Sequence, residues 1–564
     1  MPPSFPIIWS LAILFFTAVN AQTTTPAPTV TLSYGAFQGQ PTGNLVEFLG
    51  IPFAAPPVGN LRFAPPQPPV AFSGVRPATT YGAACFQQSI GGVLGLLVDL
   101  IGVISFLLGT TPTNVSEDCK SCLFINVIKP ANLPAGQKVP VLFWIYGGGF
   151  QFGDTSQNPG DPVVARSIAL NEPIIWVSAN YRISALGFLG GKEVKAAGIG
   201  NAGLRDQRFA LQWVQDHIAT FGGDPTKVTI WGGSAGAISV GLQMVANNGD
   251  PAGLFSGAFM LSGFPMALHD ITHQQPFFDQ LVSNTGCTGS ADPIACLRAV
   301  PFNTLSNAIN QSPGIFSYAS LQLAWPPTVD GQFIVRNPQV SIQQGSYAKV
   351  PIIAGDCDDE GTLFSLVNTN ITNNAQFLAY MQSNYFEGIA SSSQLAAIGV
   401  AYPDDITQGS PFDTGIFNAL SPEYKRLAAI QGDLEFHAPR RYFLKTASKT
   451  QAAFVYLSKR GKSTALFGAE HGSDANEWFG MGTTPDFLGT DALVNFVNTG
   501  NPNLPNNPNS LMSKITWPQW NSNPSNPPIL TFLDSTPNIT ITSDTFRSNG
   551  IQLLIDIYLQ IGTA

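Results

Sequence analysis

Apolar residues in this chain fall mostly in short unbroken blocks. Residues 139–146, VPVLFWIY, are apolar throughout, and 173–178, 228–231, 257–261, 350–354 and 453–457 are nearly so. Blocks of this length and composition predict strands buried on both faces, as in parallel sheets. Residues 29–50 alternate instead and predict an opening hairpin, with a Pro-rich connection at 52–69. Over 204–221 the period becomes helical, with Ala210, Trp213, Val214, Ile218 and Phe221 on one side. Gly222-Gly223-Asp224-Pro225 predicts the stop before the next strand. An Asn/Pro/Ser-rich loop at 501–528 precedes a closing amphipathic helix at 544–561. Strands alternating with helices predict an α/β fold: a large central, mostly parallel sheet flanked by helices, with no internal repeat.

Two apolar stretches do not belong to that pattern. Residues 6–18 form an apolar core followed by the small-x-small site Val19-Asn20-Ala21, which predicts a signal peptide at 1–21, although no Lys or Arg precedes it. Residues 22–564 then read as a single mature domain in a secreted, extracellular protein. The second stretch, 90–109, is apolar on every helical face. It fits a membrane span, a buried helix or a flap that meets lipid. A nearby cysteine pair and the sequon at Asn114 argue against a span, and the flap reading is taken. Residues 86–118 are accordingly expected to form a lid-like loop.

Six cysteines suit an oxidising compartment. Cys287 and Cys296 close a small loop and are expected to pair. Cys85 is expected to pair with Cys119 or Cys122, the sequence leaving that choice open, with Cys357 free or joined to the remaining one. Asn114, Asn310, Asn370 and Asn538 head sequons. The net charge of −9 and the absence of a basic run exclude ordinary nucleic-acid binding. Low charge (11%) and 39 phenylalanines lean instead toward apolar partners.

Gly232-Gly233-Ser234-Ala235-Gly236 matches G-x-S-x-G, with a strand before it and a helix-compatible run after it. This is the context of a nucleophile elbow, and Ser234 is the candidate nucleophile. Together with GNLRF at 59–63, SEDC at 116–119, WIYGGGF, NYR at 180–182, the long block 200–237, CLRAVP at 296–301 and DEGTLF at 359–364, the chain resembles the type-B carboxylesterase/lipase family. That family has the α/β-hydrolase fold and includes fungal secreted lipases, sterol esterases and cholinesterases. The resemblance runs from about residue 35 to about residue 559.

A serine hydroxyl needs a base within hydrogen-bond reach. Of five histidines, His217 lies on the 204–221 helix, and His269 and His273 at i,i+4 lack a third metal-ligand motif. The order serine, acid, histidine leaves His437 and His471. His471 follows a strand in a Gly-rich loop that resembles the family's catalytic histidine loop, including Asp474, so it is preferred; His437 reads as structural. The resemblance implies Glu360 as the acid, and Gly148, Gly149 and Ala235 as the oxyanion hole. Asp356, Asp358 and Asp359 read as solvated loop charges. The resemblance also implies Arg62–Glu117 and Arg182–Asp206 ion pairs, a lid in the loop after Cys85, and the Cys287–Cys296 disulfide.

Two departures stand out. The family usually has Glu before the nucleophile, where this chain has Gly233, and the stretch 116–127 has two cysteines, Cys119 and Cys122, where the family typically has one, which leaves the lid-closing disulfide open between them. The expected activity is serine ester hydrolysis through an acyl-enzyme on long-chain lipid esters, with no metal or redox cofactor. Contact with a lipid–water interface is expected through 90–109. A short-chain or aromatic carboxylesterase, or a non-catalytic cholinesterase-like binding domain, is the alternative. The sequence does not fix the oligomeric state.

Overall fold

Eleven strands form one sheet in the computed structural model, which describes residues 27–89, 115–116, 121–134, 136–482, 486–504, 506–536 and 538–561. The segment expected to be a signal peptide, 1–21, the stretch 90–109, Asn114, Glu117 and Cys119 lie outside the described residues.

The chain opens with β1 (Thr29–Leu32) and β2 (Gly35–Gln38), an antiparallel hairpin. Then come β3 (Gln40–Thr42), β4 (Leu45–Pro52) and β5 (Val75–Pro77), the last joining β2 in a small separate sheet. The expected opening hairpin is thus two hairpins, because β3 and β4 pair in the large sheet. There follow β6 (Phe124–Pro130), β7 (Val139–Ile145), β8 (Ile175–Ala179), β9 (Gly223–Gly233) and β10 (Gly257–Leu261). The series ends with β11 (Ile352–Cys357), β12 (Ala453–Ser458), β13 (Pro528–Phe532) and β14 (Ile539–Ser543). The large sheet runs β14-β13-β12-β11-β10-β9-β7-β8-β6-β4-β3. From β8 through β13 every pairing is parallel, and both flanks are antiparallel.

Every residue of β7, β8, β10, β11 and β12 is buried. Helices cover both faces of a central parallel sheet, so a solvated, alternating side has no place there. The predicted stop falls at Gly222: the α-helix Ala202–His217 tightens into a 3₁₀ turn over Ile218–Phe221, which Gly222 ends at φ 92°. Strand β9 then begins at Gly223, ahead of Pro225, and its register against β7 shifts between Val139 and Val141. A bulge of this kind is where a strand tolerates proline. The closing helix is shorter than expected, Ser548–Tyr558.

Among the described residues two disulfides are formed, Cys85–Cys122 and Cys287–Cys296, and Cys357 is free and buried. Cys122 rather than Cys119 is therefore the partner of Cys85. Arg182 grips Asp206 bidentately, Nε to Oδ2 and Nη2 to Oδ1 both at 2.7 Å, with both side chains buried. Arg62, whose expected partner Glu117 is outside the described residues, donates to the carbonyls of Leu297 and Val300.

Candidate active site

Strand β9 ends in the G-x-S-x-G turn, and Ser234 takes φ 55° and ψ −126°, a strained conformation for a residue with a side chain. The turn is that tight because a Cβ on Gly232 would lie 2.3 Å from Gly236, and one on Gly236 2.0 Å from the Ile145 carbonyl. Only glycine lets the strand end and the next helix, Ala235–Gly249, approach each other this closely.

His471 lies in the loop after β12, and Glu360 in the loop after β11. His471 Nε2 is 2.8 Å from Ser234 Oγ, and Nδ1 is 2.5 Å from Glu360 Oε2. The structure thus brings together three residues that the sequence separates by more than a hundred positions each. Burial alone would raise the Glu360 carboxyl. The neighbouring His471, with hydrogen bonds from His471 and Ser262, outweighs it and holds the group below the usual carboxylate range. Its other oxygen, Oε1, accepts from Ser262 Oγ and from the Cys357 amide, both at 2.7 Å.

The glycine turn after β7 faces the same place. A Cβ on Gly147 would come within 2.9 Å of Ser234 Cβ, and Gly148 and Gly149 have φ of 104° and 59°. Ala235 opens the helix that follows the serine, so its N–H belongs to the unpaired first turn of a helix N-terminus. Below Ser234 the indole of Trp144 packs against Trp231 and Phe479, with ring centroids 4.6 and 5.0 Å away. Trp144 also accounts for the room at Gly233: a Cβ there would lie 3.1 Å from its ring and 3.2 Å from Leu261.

The expectation that Asp356, Asp358 and Asp359 are solvated does not hold; all three are buried. Asp356 lies 2.8 Å from Arg440 and 2.9 Å from His437. Asp358 and Asp359 share Lys462 at 2.9 and 2.6 Å. Each has a cation supplied from a distant segment, which makes burial tolerable. His437 is thus held away from the serine in a structural network. His217 packs against Tyr34 and Trp213, and the rings of His269 and His273 stack at 4.1 Å. Asp474 is fully buried and accepts the Tyr456 hydroxyl at 2.7 Å. Burial above all, with the charge of Glu360, pushes its carboxyl up to about 6 against that hydrogen bond.

Sequence reasoning missed Ser262, Phe364 and Phe436. Ser262 follows β10 directly, and a small polar residue at the carboxyl end of a parallel strand is the signal that points to it. Phe364 and Phe436 flank the imidazole of His471 at 5.2 and 4.8 Å, with no local signal in the sequence.

Two cavities meet at Ser234. One of about 100 Å³ includes Gly148, Ser234, Phe364 and His471. The other, about 290 Å³, runs past Ser234 and Ala235 between Met266, Leu268, Phe277, Leu323 and Phe436. Exposed asparagines stand at the sequons 310, 370 and 538.

A central parallel sheet that carries a serine, a histidine and a carboxylate in hydrogen-bonded series on its strand ends defines an α/β-hydrolase. The chain belongs to the carboxylesterase family, whose sequence profile matches residues 26–544, and it is a carboxylic ester hydrolase. It is 43% identical to "Secreted lipase 1" of Botryotinia fuckeliana over 493 residues, 84% of each chain. It is 41% identical to "Secreted triacylglycerol lipase LIP1" of Gibberella zeae over 466 residues, 80% of this chain and 78% of that one. Among solved structures, Aspergillus niger EstA superposes with a TM-score of 0.79 at 27% identity, covering 95% of this chain and 99% of the other. No helix among the described residues is long and apolar enough to cross a membrane.

Proposed function

We propose that this protein is a secreted lipase that cleaves long-chain acyl esters through an acyl-enzyme on Ser234. The observation that carries the reading is the Ser234–His471–Glu360 series standing at the mouth of a mainly apolar cavity. In this reading His471 Nε2 takes the Ser234 proton as Oγ attacks the ester carbonyl. Glu360 orients the ring through Nδ1 and stabilises the imidazolium that forms. The amides of Gly148, Gly149 and Ala235 receive the developing alkoxide. His471 then returns its proton to the leaving alcohol, and water deacylates the enzyme by the same route.

The apolar walls support an acyl chain as the group bound, since burying a chain there removes it from water. The names of the fungal relatives agree with lipid esters as substrates and with export. Residues 1–21 serve as the leader. The Cys85–Cys122 disulfide ties the base of the loop 86–118, whose stretch 90–109 supplies apolar surface to the lipid–water interface. Asn114, Asn310, Asn370 and Asn538 carry glycans in this reading.

The deciding experiment compares initial rates on soluble short-chain esters with those on emulsified long-chain triglyceride and steryl ester, with Ser234→Ala as control. A rate jump on emulsions that disappears when 90–109 is replaced by a short polar loop is expected. Activity confined to short soluble esters would replace this reading with that of a plain carboxylesterase.

A further inference from the structure

Among the described residues, the wall of the substrate cavity holds a carboxylate that the chemistry above does not use. Glu435 lines the 290 Å³ cavity that passes Ser234, and it is only 6% exposed. Its Oε1 accepts from the Tyr558 hydroxyl at 3.0 Å and from Gln322 Nε2 at 3.5 Å; both of those residues also line the cavity. Among the described residues no group hydrogen-bonds Oε2, and no cation pairs with the carboxylate.

That absence contrasts with its neighbours. Glu423 pairs with Arg426, Asp433 with Arg547, and Asp544 with Arg440 and Arg441, all buried carboxylates compensated by an arginine. Oε2 opens on the cavity that the side chain lines, where water meets it. A chain that fills the cavity displaces that water and leaves the carboxyl buried and unmet, at a cost in free energy, unless it brings a hydrogen-bond donor of its own.

We infer that Glu435, supported by Tyr558 and Gln322, forms a polar subsite that takes a hydroxyl group borne along the substrate's chain. This rests on the reading of Ser234 as the nucleophile and specifies its substrate class: hydroxylated long-chain esters preferred over plain ones of equal length. Burial drives the Glu435 carboxyl up to about 7, against the Tyr558 hydrogen bond, so near neutrality its protonated form also donates. A plain alkyl chain covers the carboxyl without satisfying it, and a site built to hydrogen-bond discriminates against the analogue that lacks the partner.

The test is a matched ester series of fixed chain length, with the hydroxyl moved carbon by carbon along the acyl half in one arm and along the alcohol half in the other. The quantity read is the ratio of kcat/KM for the hydroxylated ester to that for the plain ester. Both esters meet the same folded fraction, so partial misfolding cancels. The wild-type ratio is expected to peak about tenfold above its baseline at one hydroxyl position, in the arm whose half occupies the cavity. Glu435→Leu should flatten that peak, and Glu435→Gln, which still donates and accepts, should keep most of it. A flat wild-type profile in both arms overturns the inference without any variant, as does a peak that survives Glu435→Leu. Loss of all turnover in Ser234→Ala shows that the serine reading stands even where the subsite fails; persistence of turnover there sinks the serine reading itself.

Discussion

The imidazole of His471 lies 4.8 Å from the ring of Phe436, centroid to centroid, with Phe364 on another side at 5.2 Å. Hydrogen bonds at both ring nitrogens set the direction of the imidazole, and these two rings set its position. Phe436→Leu keeps an apolar filler but leaves part of that wall open. We expect kcat on a short soluble ester to fall about tenfold with little change in KM, since small misplacements of a base are costly. Titration of active sites with a serine-directed phosphonate separates this from loss of folded enzyme. An equal fall in titratable sites and rate would show that Phe436 acts on folding alone.

Ser234→Ala should lower kcat/KM by about 10⁴-fold or more, with substrate binding largely kept. Glu360→Gln retains acceptor geometry for Ser262 and Cys357 but removes the charge opposite the imidazolium. Its kcat should fall by roughly 10²- to 10⁴-fold while thermal stability changes little. Wild-type rates in either variant would remove the corresponding role.

Trp144 and Leu261 occupy the space beside Gly233. Gly233→Glu therefore presses a charged side chain onto an aromatic cluster, an overpacking cost of about 1–3 kcal/mol before the charge is counted. A clearly lower melting temperature and reduced activity are expected. Gly236→Ala, with its Cβ 2.0 Å from a backbone carbonyl, should be worse still and yield little soluble enzyme. Calorimetry of the two variants beside wild type checks the order.

Asp474 predicts a pH-dependent stability of unusual sign. Its folded pKa, about 6, lies above the unfolded value, so the native state holds the extra proton between roughly pH 4 and 6. Stability from this group is therefore present at low pH and lost as pH rises through 6. Asp474→Asn keeps an acceptor for Tyr456 and removes the titration. Its melting temperature should exceed wild type at pH 8, with the gap closing by pH 4.5. A gap that does not vary with pH would contradict the assignment.

Much of this architecture is legible in the sequence because it rests on local signals. The apolar blocks that become β7, β10 and β12 carry their burial in composition, and the glycines around Ser234 carry the turn. What is lost is whatever depends on partners far along the chain. Asp356 and Asp359 look like loop charges until Arg440 and Lys462 are folded against them. Ser262 reaches Glu360 across 98 residues, and no periodicity announces that. Strand β6 escapes notice because Asn126 and Lys129 interrupt its apolar run; Asn126 is nonetheless buried, bonded to Thr155 and Ser178. The resemblance supplied Glu360 and the glycine turn, which physical patterning alone leaves among several candidates.

Ser234, Glu360, His471 and the glycine turn each leave the sheet from a different strand, β9, β11, β12 and β7. Inheritance can therefore act on chemistry and diet separately. A change within any of those strands disturbs a member of the reacting set, whereas a segment such as 313–323, which walls the cavity from outside the sheet, can vary without moving it. Descendants of such a scaffold are free to acquire new esters by drift in a few connecting segments while the sheet beneath them stays under strict selection.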